Sequence, residues 1–382
     1  MCRCSPRFRC LILQLILVLA SMSAWATETT LPLPATRDLA LGLPEGSTTS
    51  GGADPWTIVP YGEINGHGLR MEATRGNGTS WLDLPVQGPA TVDFSWKSGN
   101  SNPGFSFLVD GKRAELMRTY EPSRPVRIEI PAGFHTVRWQ AVAPKFADRR
   151  PETYFAYIGG IKVTPLTPGG IALAALDLQI PWTVPLDWAS STTLSRNGET
   201  ALQGPAATAT SPTGYQQSRV KASFTGPGEL SFWWHAEKLP ADYGALDWSF
   251  QNSESGTTLL RRTPFEGWKQ EKVWLPPGTS LFEWMAWGTA GQIALAALDG
   301  IEFTPATLIS LGEAADAPQW DWKNDPAKPW MPLALPDPAG DMVVSPPLES
   351  GESTRFSTVI HGPGTVSFHW HDFDGSPVIG TF

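Results

Sequence analysis

Tryptophan is the side chain in this sequence best suited to surface chemistry, and the chain of 382 residues carries 18 of them. An indole offers a broad apolar face and one N–H donor, which suits stacking on a sugar ring with a hydrogen bond at its rim. Trp233, Trp188, Trp268 and Trp287 are the candidates for ligand contact, because no apolar alternation commits them to a core. The competing reading for each is burial between sheet layers, where large aromatics commonly lie. Trp320, Trp322 and Trp330 form a further cluster in an acidic, loop-like stretch.

His369 and His371 stand two apart on one strand face, with Asp372 and Asp374 following. Two imidazoles at that spacing can converge on one metal ion. The equivalent positions elsewhere are Trp233 with His235 and Ser95 with Lys97, so no metal site is shared along the chain. The plainer reading is a pair of solvated polar residues. Cleavage of a glycan needs two carboxylates flanking one bond. The nearest approach is Asp299 with Glu302, and Gly159 with Lys162 replaces them upstream. Nucleophile elbows, zinc-protease helices, phosphate loops and dinucleotide fingerprints are missing. These residues predict a non-catalytic protein without a cofactor, a structural calcium ion aside, although no Asp/Asn-rich loop singles itself out for one.

Positioning falls to one phrase used three times. It reads Gly226-Pro227-Gly228-Glu229-Leu230-Ser231-Phe232-Trp233-Trp234, and it recurs from Gly88 to Trp96 and from Gly362 to Trp370. The leading glycines are 138 and 136 residues apart, an internal repeat of domain length. After Gly-Pro, alternate residues share a face. Val92, Phe94 and Trp96 form the apolar face of the first copy; Leu230, Phe232 and Trp234 form that of the second; Val366, Phe368 and Trp370 that of the third. The opposite face is mostly polar, the pattern of a half-buried antiparallel strand. The Gly-Pro pair itself reads as a turn separating this strand from the one before it.

Further elements keep their order. Asp110-Gly111 predicts a hairpin after Phe105–Val109. Pro131-Ala132-Gly133 and Pro276-Pro277-Gly278 each precede a strand ending in Trp139 or Trp284. Gly160–Pro165 and Gly300–Pro305 close the modules. The letters IALAALD occur at 171–177, where a short helix fits, and again at 293–299 in a closing strand.

Composition sets the outer limits. Arg3, Arg7 and Arg9 precede an apolar run from Leu11 to Ala20 and an Ala24-Trp25-Ala26 cleavage site. Residues 1–26 are therefore expected to be a cleaved signal peptide, and the run is short for a bilayer span. All three cysteines lie in it, so the mature chain relies on buried cores and not on disulfides. The net charge of −9, or −12 without those three arginines, argues against nucleic acid or an anionic membrane as partner.

The phrase GPGxLSFWW, with its preceding strand, the later hairpin and the Asp299–Phe303 ending, resembles a repeat of large exported bacterial proteins with lectin-like or MAM-like jelly-roll modules. The resemblance covers both full copies and the start of the third. It implies fold and brings no catalytic residues with it. Asp93 and Ser95 depart from the phrase's preferred Ser and Trp.

The expectation is an all-β chain of tandem antiparallel jelly-roll-like β-sandwiches, at 27–168 and 169–306, with a truncated third at 307–382 belonging to a longer repeat protein. It is expected to be secreted or held at the cell surface. Its expected role is binding or adhesion to polysaccharide or another surface protein. The alternatives are a structural spacer and a glycan-cleaving enzyme of lectin-like fold.

Overall fold

The computed structural model describes residues 33–61, 66–72, 78–98, 104–117, 123–142, 155–166, 171–196, 199–205, 215–236, 247–262, 267–289, 295–336, 340–346, 348 and 352–369. The proposed signal peptide lies outside them.

Antiparallel strands dominate, as the alternation predicts. The first copy contains β1 (Thr49–Gly52), β2 (Trp56–Tyr61), β3 (Gly66–Glu72), β4 (Thr79–Ser98), β5 (Phe105–Val109), β6 (Lys112–Leu116), β7 (Arg124–Val142) and β8 (Phe155–Pro165). The second contains β9 (Trp182–Thr183), β10 (Ala189–Ser191), β11 (Ala201–Pro205), β12 (Tyr215–Ala236), β13 (Asp247–Asn252), β14 (Thr258–Arg262), β15 (Gly267–Thr289) and β16 (Leu295–Pro305).

The Gly-Pro phrase is not a turn, which corrects the sequence reading. β4 runs unbroken for 20 residues and β12 for 22. Gly88–Pro89 and Gly226–Pro227 are cis, and the register against β7 and β15 slips at those points. A Cβ on Gly88 would meet the Pro131 carbonyl oxygen at 1.8 Å, and one on Gly226 the Pro276 oxygen at 2.1 Å. Glycine is required because the partner backbone passes where a side chain would stand. The long strands bend there and pass from one sheet layer to the other, the corner device of sandwiches. The first half of β4 pairs with β1 and the second half of β7, and its second half pairs with β8 and the first half of β7.

The expected inward faces of the first two copies are inward. Val92, Phe94 and Trp96 lie in one core with Phe107 and Trp139, and Leu230, Phe232 and Trp234 in another with Phe250 and Trp284. Phe94 packs edge-on to Trp139 at 5.3 Å, and Phe232 to Trp284 at 5.6 Å.

Each copy opens with a helical turn, expected only for the second: α1 (Arg37–Leu41), α2 (Ile171–Ala175) and α3 (Leu311–Ala314). Left-handed Gly42, Asp177 and Asp316 follow them. A hydroxyl at one repeat position then pins the next loop. Ser80 accepts the Asp54 N–H, Ser218 accepts the Trp188 indole N–H, and Thr354 donates to the Lys328 carbonyl.

The third copy supplies β17 (Thr307–Leu308), β18 (Lys323–Asn324), β19 (Met331–Ala334), β20 (Asp341–Val344) and β21 (Phe356–Ser357). Its Val366 and Phe368 are 52% and 54% exposed, whereas Val92 and Phe94, their counterparts, are 0% and 2% exposed. Residues 358–369 form no strand.

The first two copies are joined as one sheet. β9 lies between them, with Thr183 opposite both Ile128 and Lys221, and Trp182 opposite both Glu129 and Ala222. Glu129 of the first copy caps the second copy's helix, accepting from Ala172 and Leu173 N–H at 2.8 and 3.0 Å. On the other side, Lys221 pairs with Glu115 and lies 3.8 Å from Glu283, all three buried. Arg124 adds a 3.2 Å contact to Glu115.

Candidate functional site

The outward face of the second copy is built from the second half of β12 with β15, β16 and β11. Phe232 and Trp234 face the core, so Trp233 and His235 face away from it. Gln270 and Asp299 flank Trp233 on the neighbouring strands, and Trp268 and Ala297 flank His235. His235 and Trp268 meet edge to face at 5.3 Å, and both are half-buried. Trp233 faces outward as the sequence alternation predicts, and cross-strand register sets Trp268 opposite His235, two residues along.

The surroundings of Trp233 alter the stacking reading. The Arg196 guanidinium lies 3.9 Å over its ring, so one face of the indole is already occupied. The loop carrying Arg196 is held by Asp299, whose Oδ2 accepts the Arg196 N–H at 3.0 Å and whose Oδ1 accepts the Gly300 N–H at 2.7 Å. Gly300 has φ 54°, and a Cβ there would come within 3.3 Å of the Trp233 ring. Asp299 is buried, and burial pushes its carboxyl up, opposed by those two amides. Both of its oxygens are engaged by backbone, so it acts as a clamp for the loop.

Trp188 is a correction. It is 4% exposed, packs in the core, and has its indole N–H bound to Ser218. A Cβ on Gly204 would sit 2.4 Å from the Trp188 ring, so the glycine makes the groove that takes it inside. The backbone of Trp287 lies in β15 opposite Gln217 and Asp247; its side chain lies outside the described residues. Trp274 packs on Met331, Leu333 and Val344, where the third copy meets the second. Trp322 and Trp330 pack on Phe356 at 5.4 and 4.9 Å. Phe356 holds the repeat position of buried Leu82 and Val220, which marks this cluster as core material of the third copy.

His369 is exposed, and His371 lies outside the described residues. Among the described residues no group of three or more His, Cys, Asp or Glu side chains is gathered for a metal ion. No helix among them is long and apolar enough to cross a membrane.

The matching face of the first copy holds an aromatic group that the sequence reading missed. Tyr61 stacks on Tyr157 at 5.7 Å and shares a 2.7 Å hydrogen bond with Ser123. Arg70 lies over Phe155 at 4.9 Å. Alternation in β8 turns Phe155 and Tyr157 to the same side, the one signal available beforehand. Between the copies, the β5–β6 hairpin and Ser223, Glu254 and Thr279 line a cleft of about 210 Å³. Arg113 and Glu254 bridge it at 2.6 Å.

No family model and no curated protein sequence matches the chain. Among solved structures, the K1 cleaved adhesin domain of Lys-gingipain from Porphyromonas gingivalis is 17% identical, covers 32% of this chain and 92% of its own, and has a TM-score of 0.24. The CBM22-1–CBM22-2 tandem domain of Paenibacillus barcinonensis Xyn10C is 12% identical, covers 69% of this chain and 94% of its own, at a TM-score of 0.23. The secreted serine protease VesC of Vibrio cholerae is 13% identical over 61% of this chain and 48% of its own, at 0.28.

Proposed function

We propose that the chain is an exported, non-catalytic binding protein that holds polysaccharide on the outward face of its second copy. The observation that carries the reading is the cross-strand row of His235 and half-buried Trp268 beside Trp233 and its Arg196 cover. Aromatic surface with polar groups at its rim is what a sugar ring needs for an apolar contact and directed hydrogen bonds. Asp299 fixes the adjoining loop, which lowers the entropy lost on binding. Affinity electrophoresis through gels containing soluble polysaccharides tests it. Retention by at least one polymer is expected, weakened about tenfold, or 1.4 kcal/mol, in Trp268→Ala. No retention by any polymer, or equal retention of the variant, overturns the reading.

The spacer alternative draws on a different observation, the shared strand β9 and the buried Glu115–Lys221–Glu283 group joining two copies. A tandem pair held this way resists bending at its junction. Small-angle scattering fitted by one rigid arrangement favours that role; a broad distribution of shapes argues against it.

A further inference from the structure

We propose that Arg196, laid on Trp233, receives the carboxylate of an acidic sugar, so that the polymer held on this face is a uronic-acid polysaccharide. The inference rests on the binding face described above and names its ligand class.

Two arginine shelves in the same chain differ in what faces the cation. In the first copy, the Arg138 guanidinium lies 4.7 Å over the Trp81 ring. Its Nε and Nη2 donate to the two oxygens of Asp83 at 2.6 and 2.7 Å. Ring, cation and carboxylate form a closed unit. In the second copy, Arg196 lies over Trp233 at 3.9 Å, and among the described residues no carboxylate forms an ion pair with its guanidinium. Arg124, Arg127 and Arg262 pair with Glu115, Asp93 and Glu271. Arg196 is exposed and offers its planar fork to solvent with the aromatic support already in place.

A guanidinium binds a carboxylate through two parallel N–H donors, and stacking on a ring preorganises that fork. Arg138 with Asp83 shows within this protein the complex that Arg196 would make with a carboxylate from outside. Asp299 is near enough to feel the Arg196 charge, but its two oxygens accept from the Arg196 and Gly300 backbone amides and form no ion pair with the guanidinium. The constellation belongs to the second copy alone: Ser95 and Gly159 replace Trp233 and Asp299 in the first, and His369 replaces Trp233 in the third. His235 and Trp268 lie two residues further along, about 7 Å away, within reach of the next ring of one polymer.

Calorimetry on the full chain with polygalacturonate and its fully methyl-esterified form tests the proposal, since the two differ in charge on the same backbone. The wild type should bind the acid form about tenfold more tightly or better, the scale of a hydrogen bond to a charged group. The net charge of −9 opposes that preference, so it must arise locally. Arg196→Gln should abolish the preference, bringing the acid and ester forms to equal affinity, while Arg196→Lys should restore only part of it. Equal affinity for both forms, or a preference that survives Arg196→Gln, overturns the carboxylate site while leaving the sugar-binding face standing. Arg196-dependent binding of dextran sulfate as tight as that of polygalacturonate overturns the carboxylate assignment in favour of a sulfate. Binding of none of these polymers by the wild type overturns this proposal, and the gel survey separately decides whether the face binds other sugars.

Discussion

The Lys221 ammonium of the second copy lies against the Glu115 carboxylate of the first, and both are buried. Glu283 approaches the same lysine from behind, and Gln251 and Ser253 donate to Glu283. Burial pushes the Lys221 ammonium down, opposed by Glu115 and Glu283 and reinforced by Arg124. A group of this kind stabilises only while all its members are present.

Lys221→Met is therefore expected to destabilise the pair by about 3–5 kcal/mol, because two buried carboxylates lose the cation they share and keep only the part-exposed Arg124 and Arg219. Replacing Glu115, Lys221 and Glu283 together with apolar residues of similar volume should cost far less. Urea denaturation of both variants measures the difference, and equal losses would contradict it.

Acid should loosen the same junction. Burial alone would raise the Glu115 carboxyl, but Lys221 and Arg124 outweigh it and hold it below its ordinary value of 4.5. A carboxyl lowered on folding contributes stability that is fully present above the unfolded value and lost as pH falls through the folded one. Urea midpoints should drop below about pH 4.5 in the wild type. Glu115→Gln, less stable at neutral pH, should show a smaller drop.

The corner glycines admit a direct test. Gly226→Ala places a methyl group 2.1 Å from the Pro276 oxygen, and the strand must shift to accept it. The loss should exceed about 1 kcal/mol. Gly364→Ala, with nothing within 4 Å of its new methyl, should sit within about 0.5 kcal/mol of wild type. Thermal melts of the two variants decide.

Phe94 and Phe368 hold one repeat position in two settings. Phe94→Ala empties a packed core and should cost about 3–5 kcal/mol. Phe368→Ala removes a side chain that is 54% exposed and should cost under about 0.5 kcal/mol. Similar losses would mean that the third copy buries this face in solution.

The repeat, the all-β character and the inward faces were legible from residue order, because a two-residue period shows which side chains share a face whatever the sheet does next. Trp96, Trp234, Trp139 and Trp284 were assigned to cores on that ground, and they lie there. Trp188 was not, because its burial depends on the space left at Gly204 and on Ser218, 30 residues on. The Gly-Pro phrase looked like a turn because local rules see φ restrictions and cannot see the partner backbone crossing at Gly88 and Gly226. Arg196 carried no signal at all: it sits in a loop, and Asp299, 103 residues away, brings it onto Trp233.

The letters IALAALD show the same division most sharply. At 171–175 they form a helix whose first amides meet Glu129, and at 295–299 they form a strand paired with β12 and β11. Six apolar residues ahead of an aspartate set only that most of the segment will be buried. Which hydrogen-bond partners stand beside it, a capping carboxylate in one place and two open strand edges in the other, selects helix or strand, and those partners come from distant parts of the chain.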